Sequence, residues 1–157
     1  MSTHQFKEKY WKYKDTIFRI AVTYVKNQDD AEDILQNVFY KLLYQSPEFA
    51  SEEHEKRWLI RTSINQCKNH LSSFWNRKRT DIEGGYDIGQ WGMTFEENSI
   101  LKEVLALPEK YKITCYLHYF EGYTCAEIGE ILKCTPSAVK MRLKKCRELL
   151  KMELANE

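Results

Sequence analysis

Nowhere in these 157 residues is there a run of eighteen apolar side chains, so no membrane-spanning helix is expected. The N-terminus has no signal-peptide pattern, which points to a protein of the cytoplasm. Cysteine occurs five times, at Cys67, Cys115, Cys125, Cys134 and Cys146, and never as a CxxC pair. Without a secretory signal these thiols read as small buried apolar residues in a reducing compartment, not as a disulfide framework. The four histidines, His4, His54, His70 and His118, show no metal-ligand spacing. No nucleophile–base pairing, P-loop or metal cluster is visible, so neither a catalytic site nor a cofactor is expected. An excess of either charge is missing too: 24 basic and 23 acidic residues leave a net charge of +1.

Proline is confined to Pro47, Pro108 and Pro136, and four of the six glycines fall between Thr80 and Asn98. Elsewhere apolar residues recur at helical spacing, and 43% apolar content supports folded cores. The expected fold class is all-α: two small helical domains, residues 1–79 and 99–157, joined by a linker over 80–98.

Thr124 to Leu150 organises the second domain. Thr124 and Glu127 form a capping box, so a helix starts at Cys125 and buries Ile128, Ile131 and Leu132. Thr135 caps a second helix with Pro136 at its first position. That helix carries Val139, Leu143, Cys146 and Leu150 on one face and Ser137, Lys140, Met141 and Lys144 on the other, with Lys145 flanking. Between Lys133 and Lys151 there are seven basic residues and one acid, whereas ten acids face three lysines between Asp81 and Glu130. Two short helices and a tight turn, the second basic on its outer face, describe a helix-turn-helix that reads duplex DNA. Lys133 occupies the turn position where a residue tolerant of positive φ is usual, which predicts a slightly strained turn.

In the first domain, Phe6, Tyr10, Tyr13, Ile17, Ile20 and Tyr24 predict a helix over 4–26 with an aromatic core face. Asp29 or Asp30 caps the next helix, Asp30 to Leu43, whose core stripe is Ala31, Ile34, Leu35, Val38 and Leu42. Asp33, Gln36, Asn37 and Tyr40 point away, flanked by Phe39 and Leu43, and this mixed face is expected to dock on a partner. A loop from Ser46 to Glu55 leads to a third helix, Glu55 to Arg79. Trp58, Leu59, Thr62, Ile64 or Cys67, and Leu71 can line its buried face. After Glu55 it holds seven Lys/Arg and no acid, interleaved with Trp58, His70, Phe74 and Trp75. Such a mixture suits single-stranded DNA, where cations meet phosphates and rings stack on bases. In the second domain, helices over Ser99–Leu107 and Pro108–Glu121 precede a left-handed cap at Gly122.

Taken together, DDAEDILQNVFYKLL resembles the polymerase-binding helix of region two of bacterial sigma factors, and KRWLIRTSINQCKNHL the adjoining promoter-melting helix. LPEKYKITCYLHYFEGYTCAEIGEILKCTPSAVKMRLKKCRELL resembles region four. Two domains and a short linker are similar to the extracytoplasmic-function (ECF) group. The resemblance implies a subunit that binds core RNA polymerase through the β′ clamp helices and the β flap, and directs promoter recognition and melting. Asp33, Gln36 and Phe39 match polymerase-facing positions. Asn65 matches a position near the pocket for a flipped −10 base, with Arg57, Arg61 and Lys68 beside it. Ser137, Lys140, Met141, Lys144 and Lys145 match the −35-reading surface. Asn37 stands where an acid is usual, Asn69 where aspartate is frequent, and Gly129 and Lys133 are less common at their positions. An anti-sigma factor is compatible with this reading, although the sequence does not identify one. The competing expectation is a stand-alone helix-turn-helix regulator that binds operator DNA as a dimer.

Overall fold

The computed structural model describes the backbone of residues 1–77 and 103–155, with side chains for 1–73 and 103–150. The chain divides into two compact units, Met1–Trp91 and Gly92–Glu157. The expected linker, the stretch Ser99–Lys102 and the side chains of Phe74 and Trp75 lie outside the described residues.

In the first unit, Ser2 opens helix α1 (Thr3–Tyr24) with a capping box completed by Gln5. Helix α2 (Gln28–Gln45) follows after a short break, and α3 (Glu52–Arg77) after a loop. The cap of α2 is Asn27, not Asp29 or Asp30: its side chain accepts from the Asp30 N–H at 2.7 Å. The helix therefore starts a half-turn early and places Asp29 and Asp30 in its first turn, where the N-terminal dipole favours them. Each of the three helices packs on the other two.

The second half of α1 is buried nearly all round, from Ile17 and Phe18 through Ile20, Ala21, Val22, Thr23 and Tyr24. It is therefore the central helix of the bundle rather than an amphipathic one. Its stray hydroxyl is satisfied internally, Thr23 donating to the Ile20 carbonyl at 2.7 Å, and Ser63 of α3 does the same to Leu59 at 2.6 Å. On α3 the buried set is Leu59, Ile60, Ser63, Ile64 and Cys67, with Trp58, Thr62 and Leu71 only half-buried.

The second unit begins, among the described residues, with a helical turn at 103–105. Pro108 precedes α4 (Glu109–Cys115), which runs into a π-helical turn over Tyr116–Phe120. The sequence gives no sign of that turn. It brings Tyr116 and Phe120 into a stack at 5.7 Å, and Gly122 ends it with φ 77°. Helices α5 (Cys125–Leu132) and α6 (Pro136–Ala155) complete the unit, α6 packing on both α4 and α5.

Candidate nucleic-acid interface

The α5–α6 corner is built by local rules. Thr124 Oγ1 accepts from the Glu127 N–H at 3.2 Å, while the Thr124 N–H donates to Glu127 Oε1 at 3.0 Å. Lys133 then adopts the left-handed conformation, φ 58° and ψ 49°, and its N–H donates to the Gly129 carbonyl. The chain folds back so closely that a β-carbon on Gly129 would lie 2.7 Å from the Cys134 carbonyl oxygen. Thr135 Oγ1 accepts from the Ala138 N–H at 3.1 Å and caps α6.

Val139, Leu143 and Cys146 of α6 are buried, and Leu150 half-buried. This seats the helix and turns its other face outward. Ser137, Lys140, Met141, Lys144 and Lys145 are all exposed, Met141 at 73%. They form one strip along the first three turns of α6. Ammonium groups around an apolar side chain can pair with phosphates or donate to guanine edges in a major groove. Arg147, one turn further on, is instead directed to Tyr119, donating to its hydroxyl at 3.3 Å.

In the first unit, Arg61, Asn65 and Lys68 of α3 are exposed at i, i+4 and i+7, a single helical stripe. Arg57 is at the edge of that stripe. It is half-buried and donates to Glu53 at 3.2 Å, so part of its charge is already spent within the helix. His70, expected among the DNA-facing groups, lies 3.4 Å from Asp30 of α2 and ties the two helices together.

The loop before α3 is anchored by Phe49. Its ring meets Trp58 edge-on at 5.7 Å and His54 at 5.4 Å, and Lys9 of α1 lies over it at 5.4 Å. His54 Nδ1 accepts from the Ala50 N–H at 3.0 Å, and Ser51 Oγ caps α3 through the His54 N–H at 3.1 Å. Beneath this loop, Glu55 is buried and bound by Lys9 and by the Tyr13 hydroxyl, the latter at 2.9 Å. Burial first, and the hydrogen bond to Glu55 second, push the Tyr13 hydroxyl well above the usual phenol range. On the rim, Lys12 hydrogen-bonds Glu52 and holds its carboxyl below the usual range.

The outer face of α2 differs from expectation at one residue. Phe39 is 3% exposed and packs against Phe6 at 6.1 Å and Tyr10 at 4.9 Å. The first turns of α1 extend over that side of α2, which the helical wheel of α2 alone could not reveal, so Phe39 is a core residue. Asp33, Gln36, Asn37, Tyr40, Leu43 and Tyr44 remain exposed. Tyr40 and Tyr44 stack at 5.8 Å with rings 13° apart and extend the face beyond Leu43. Sequence reasoning missed Tyr44, although its i+4 spacing from Tyr40 was the signal. It also missed Trp11, 68% exposed on α1 with Lys14 over its ring.

Two family models match the chain: Sigma-70 region 2 over residues 10–77 and Sigma-70 region 4 over 97–150. The RNA polymerase sigma factor SigV of Bacillus subtilis is 30% identical, over 92% of this chain and 88% of its own length. The chain belongs to the sigma-70 family, in its ECF group. The ECF RNA polymerase sigma factor SigW of the same organism is 26% identical, over 90% of this chain and 84% of its own. A solved structure of the sigma factor RpoE with the anti-sigma factor NepR, from Bartonella quintana, has the same fold. It superposes with a TM-score of 0.74 at 19% identity, over 96% of this chain and 97% of that one. In this sigma factor the region 2 match covers α2, α3 and most of α1, and the region 4 match holds the helix-turn-helix.

Proposed function

We propose that this ECF sigma factor docks on core RNA polymerase through the outer face of α2, opens the −10 element with α3 and its preceding loop, and reads the −35 element with α6. The region 2 domain is residues 1–79 and the region 4 domain 99–157, with 80–98 as linker. Asp33 and Gln36, joined by exposed Tyr40, meet the β′ clamp helices, and the region 4 domain meets the β flap. Asn65, with Arg61, Lys68 and the part-neutralised Arg57, holds the separated −10 strand. Unstacking costs a few kcal/mol per base, which polymerase binding and capture of the flipped base offset. Ser137, Lys140, Met141, Lys144 and Lys145 lie in the −35 major groove.

The protein has no catalytic site of its own and works in the cytoplasm beside the polymerase. The anti-sigma factor bound to RpoE supports regulation of this chain by a partner of that class. The observation that carries the reading is the strip from Ser137 to Lys145, held outward by a buried Val139–Leu143–Cys146 face within a region 4 match. Transcription in vitro with core polymerase on a genomic DNA library tests it. Initiation from a defined promoter set requires both core and this chain. Duplex binding as a dimer, with no effect on initiation, would instead identify an operator-binding regulator.

A further inference from the structure

The core of the second unit contains a pair of thiols that the promoter reading does not use. Cys115, the last residue of α4, and Cys146, in the middle of α6, are both fully buried. They share one apolar cluster with Val104 and Leu107, covered by half-buried Tyr111, Phe120, Leu149 and Leu150. The cysteines are thirty-one positions apart in sequence yet are brought into that one cluster by the packing of α6 on α4. The Cys146 thiol donates to the Tyr111 carbonyl at 3.3 Å, one helical turn before Cys115 on the same helix.

A solitary buried cysteine is an inert apolar filler. Two in one cluster on different helices, one of them bonded to the turn that carries the other, are placed to meet. The pair is also chemically unequal. The neighbouring Cys115 thiol, with the adjacent Arg147 guanidinium assisting, lowers the Cys146 thiol below the usual value. The proximity of Cys146, followed by burial, raises Cys115. Cys146 is therefore the nucleophile and Cys115 the resolving thiol.

We infer that Cys115 and Cys146 form a reversible dithiol that a hydroperoxide converts to a disulfide between α4 and α6, lowering the affinity of α6 for its DNA duplex. In the first step the Cys146 thiolate attacks the peroxide O–O bond, giving a sulfenic acid and, after protonation, the alcohol, or water from hydrogen peroxide. In the second step Cys115 sulfur attacks the sulfenic sulfur, a water molecule leaves, and the S–S bond forms. Two thiols are oxidised and one peroxide is reduced. A dithiol reductant such as dithiothreitol reverses the change by exchange.

The effect on DNA follows from where Cys146 sits. It occupies the buried face of the helix whose opposite face carries Lys140, Met141 and Lys144. A covalent S–S bond is much shorter than any non-bonded contact between two sulfurs, so closing it draws α6 toward α4 and breaks the link from Cys146 to Tyr111. The outer strip moves with its helix, and contacts set to within about 0.5 Å do not survive such a shift unchanged. A small neutral oxidant reaches the pair by local opening at the covering side chains, the class of fluctuation that exposes buried groups without global unfolding.

The test uses the full chain, treated with hydrogen peroxide, quenched, alkylated in denaturant and mapped by mass spectrometry. All five cysteines are free before treatment. Two are expected to be lost from alkylation afterwards, with one cross-linked peptide joining Cys115 to Cys146, reversed by dithiothreitol. Duplex affinity for a selected −35 sequence is expected to fall at least fivefold on oxidation and to recover on reduction. Cys115→Ala and Cys146→Ala each abolish both responses, and Cys125→Ala, at a half-buried thiol outside the cluster, leaves them intact. The inference is overturned by five alkylatable thiols after peroxide, by a bridge through Cys125 or Cys134, or by a Cys115–Cys146 bridge with unchanged affinity. The affinity measurement rests on the −35 reading, whereas the cross-link does not. Should the reduced chain fail to bind duplex at all, that reading falls while peptide mapping still decides the bridge.

Discussion

Gly129 and Cys134 meet backbone to backbone across the turn between α5 and α6. The Cys134 N–H donates to the Gly129 carbonyl at 2.9 Å, and the Cys134 carbonyl oxygen occupies the place a β-carbon would need. This contact makes glycine necessary at 129, in a helix where alanine would otherwise be favoured by about 1 kcal/mol.

Gly129→Ala is therefore expected to destabilise the second unit in spite of the gain in helix propensity. Backbone must shift to relieve the overlap, and overpacking of this kind costs about 1–3 kcal/mol. Urea denaturation followed by a probe in the second unit measures it. A higher midpoint for the variant would show that the turn opens at little cost.

Lys133→Gly is expected to act in the opposite direction. A non-glycine residue in the left-handed region carries a penalty of roughly 1–2 kcal/mol, part of which glycine returns as unfolded-state entropy. A net gain of about 0.5–1 kcal/mol should raise the urea midpoint with unchanged slope. Lower stability would mean that the lysine side chain makes a compensating contact.

Phe39 and its neighbours on α2 should separate folding from docking. Phe39→Ala removes a buried ring and is expected to cost about 3–5 kcal/mol in stability. Gln36→Ala with Tyr40→Ala should leave the melting temperature nearly unchanged and weaken capture of core polymerase. Pull-down and thermal melting on the same preparations decide it. Normal capture by the double variant would remove α2 from the polymerase interface.

Tyr13 predicts an alkaline limit. Its folded-state pKa is raised above the free value of 10.0, so its stabilising contribution is complete below about pH 10. Above that, the unfolded chain loses the proton while the folded chain retains it, and stability declines. Tyr13→Phe also removes a hydrogen bond to a charged group, worth about 1.5–3 kcal/mol. The stability gap between native and variant chains, measured in urea at pH 8 and again above pH 10, should narrow at the higher value. A constant gap would contradict the raised pKa.

Lys140 and Lys145 are expected to fail differently when truncated. Lys140→Ala should cost roughly 1–3 kcal/mol and relax preference at one −35 position, as loss of a base contact does. Lys145→Ala should weaken all sequences evenly and reduce the salt slope by about one, as loss of a phosphate contact does. Sequence selection and salt titration with each variant separate the two. An unchanged selected sequence for Lys140→Ala would refute base reading there.

Local signals were the ones the sequence carried well. The Thr124–Glu127 box, the Thr135 cap and the left-handed Lys133 are each decided within a few residues, and all stand as read. The outward strip on α6 follows from the same short-range periodicity. What was not legible depends on residues distant in sequence. Phe39 is buried because α1 extends over it, and His70 is engaged because Asp30 of α2 faces it. The π-turn after Cys115 is a separate case: its bonds are local, Tyr116 to Glu121 at 2.7 Å and His118 Nδ1 to the Tyr123 carbonyl at 2.9 Å, but no composition signal marks it. Asn27 won the cap over Asp29 and Asp30 because asparagine caps equally well and the aspartates are stabilised within the first turn of the helix it opens.

The anchoring of Phe49 has a consequence for the timing of entropy loss. Fixing a loop residue costs about 1–2 kcal/mol of conformational freedom whenever it happens. With the ring held among Lys9, His54 and Trp58, much of that loss is taken when the bundle folds, before any promoter arrives. On the proposed reading, a melted base entering beside Asn65 then competes chiefly with its own restacking, and little free energy is diverted to organising the protein. Loosening Phe49 should thus slow promoter opening more than it weakens the closed complex.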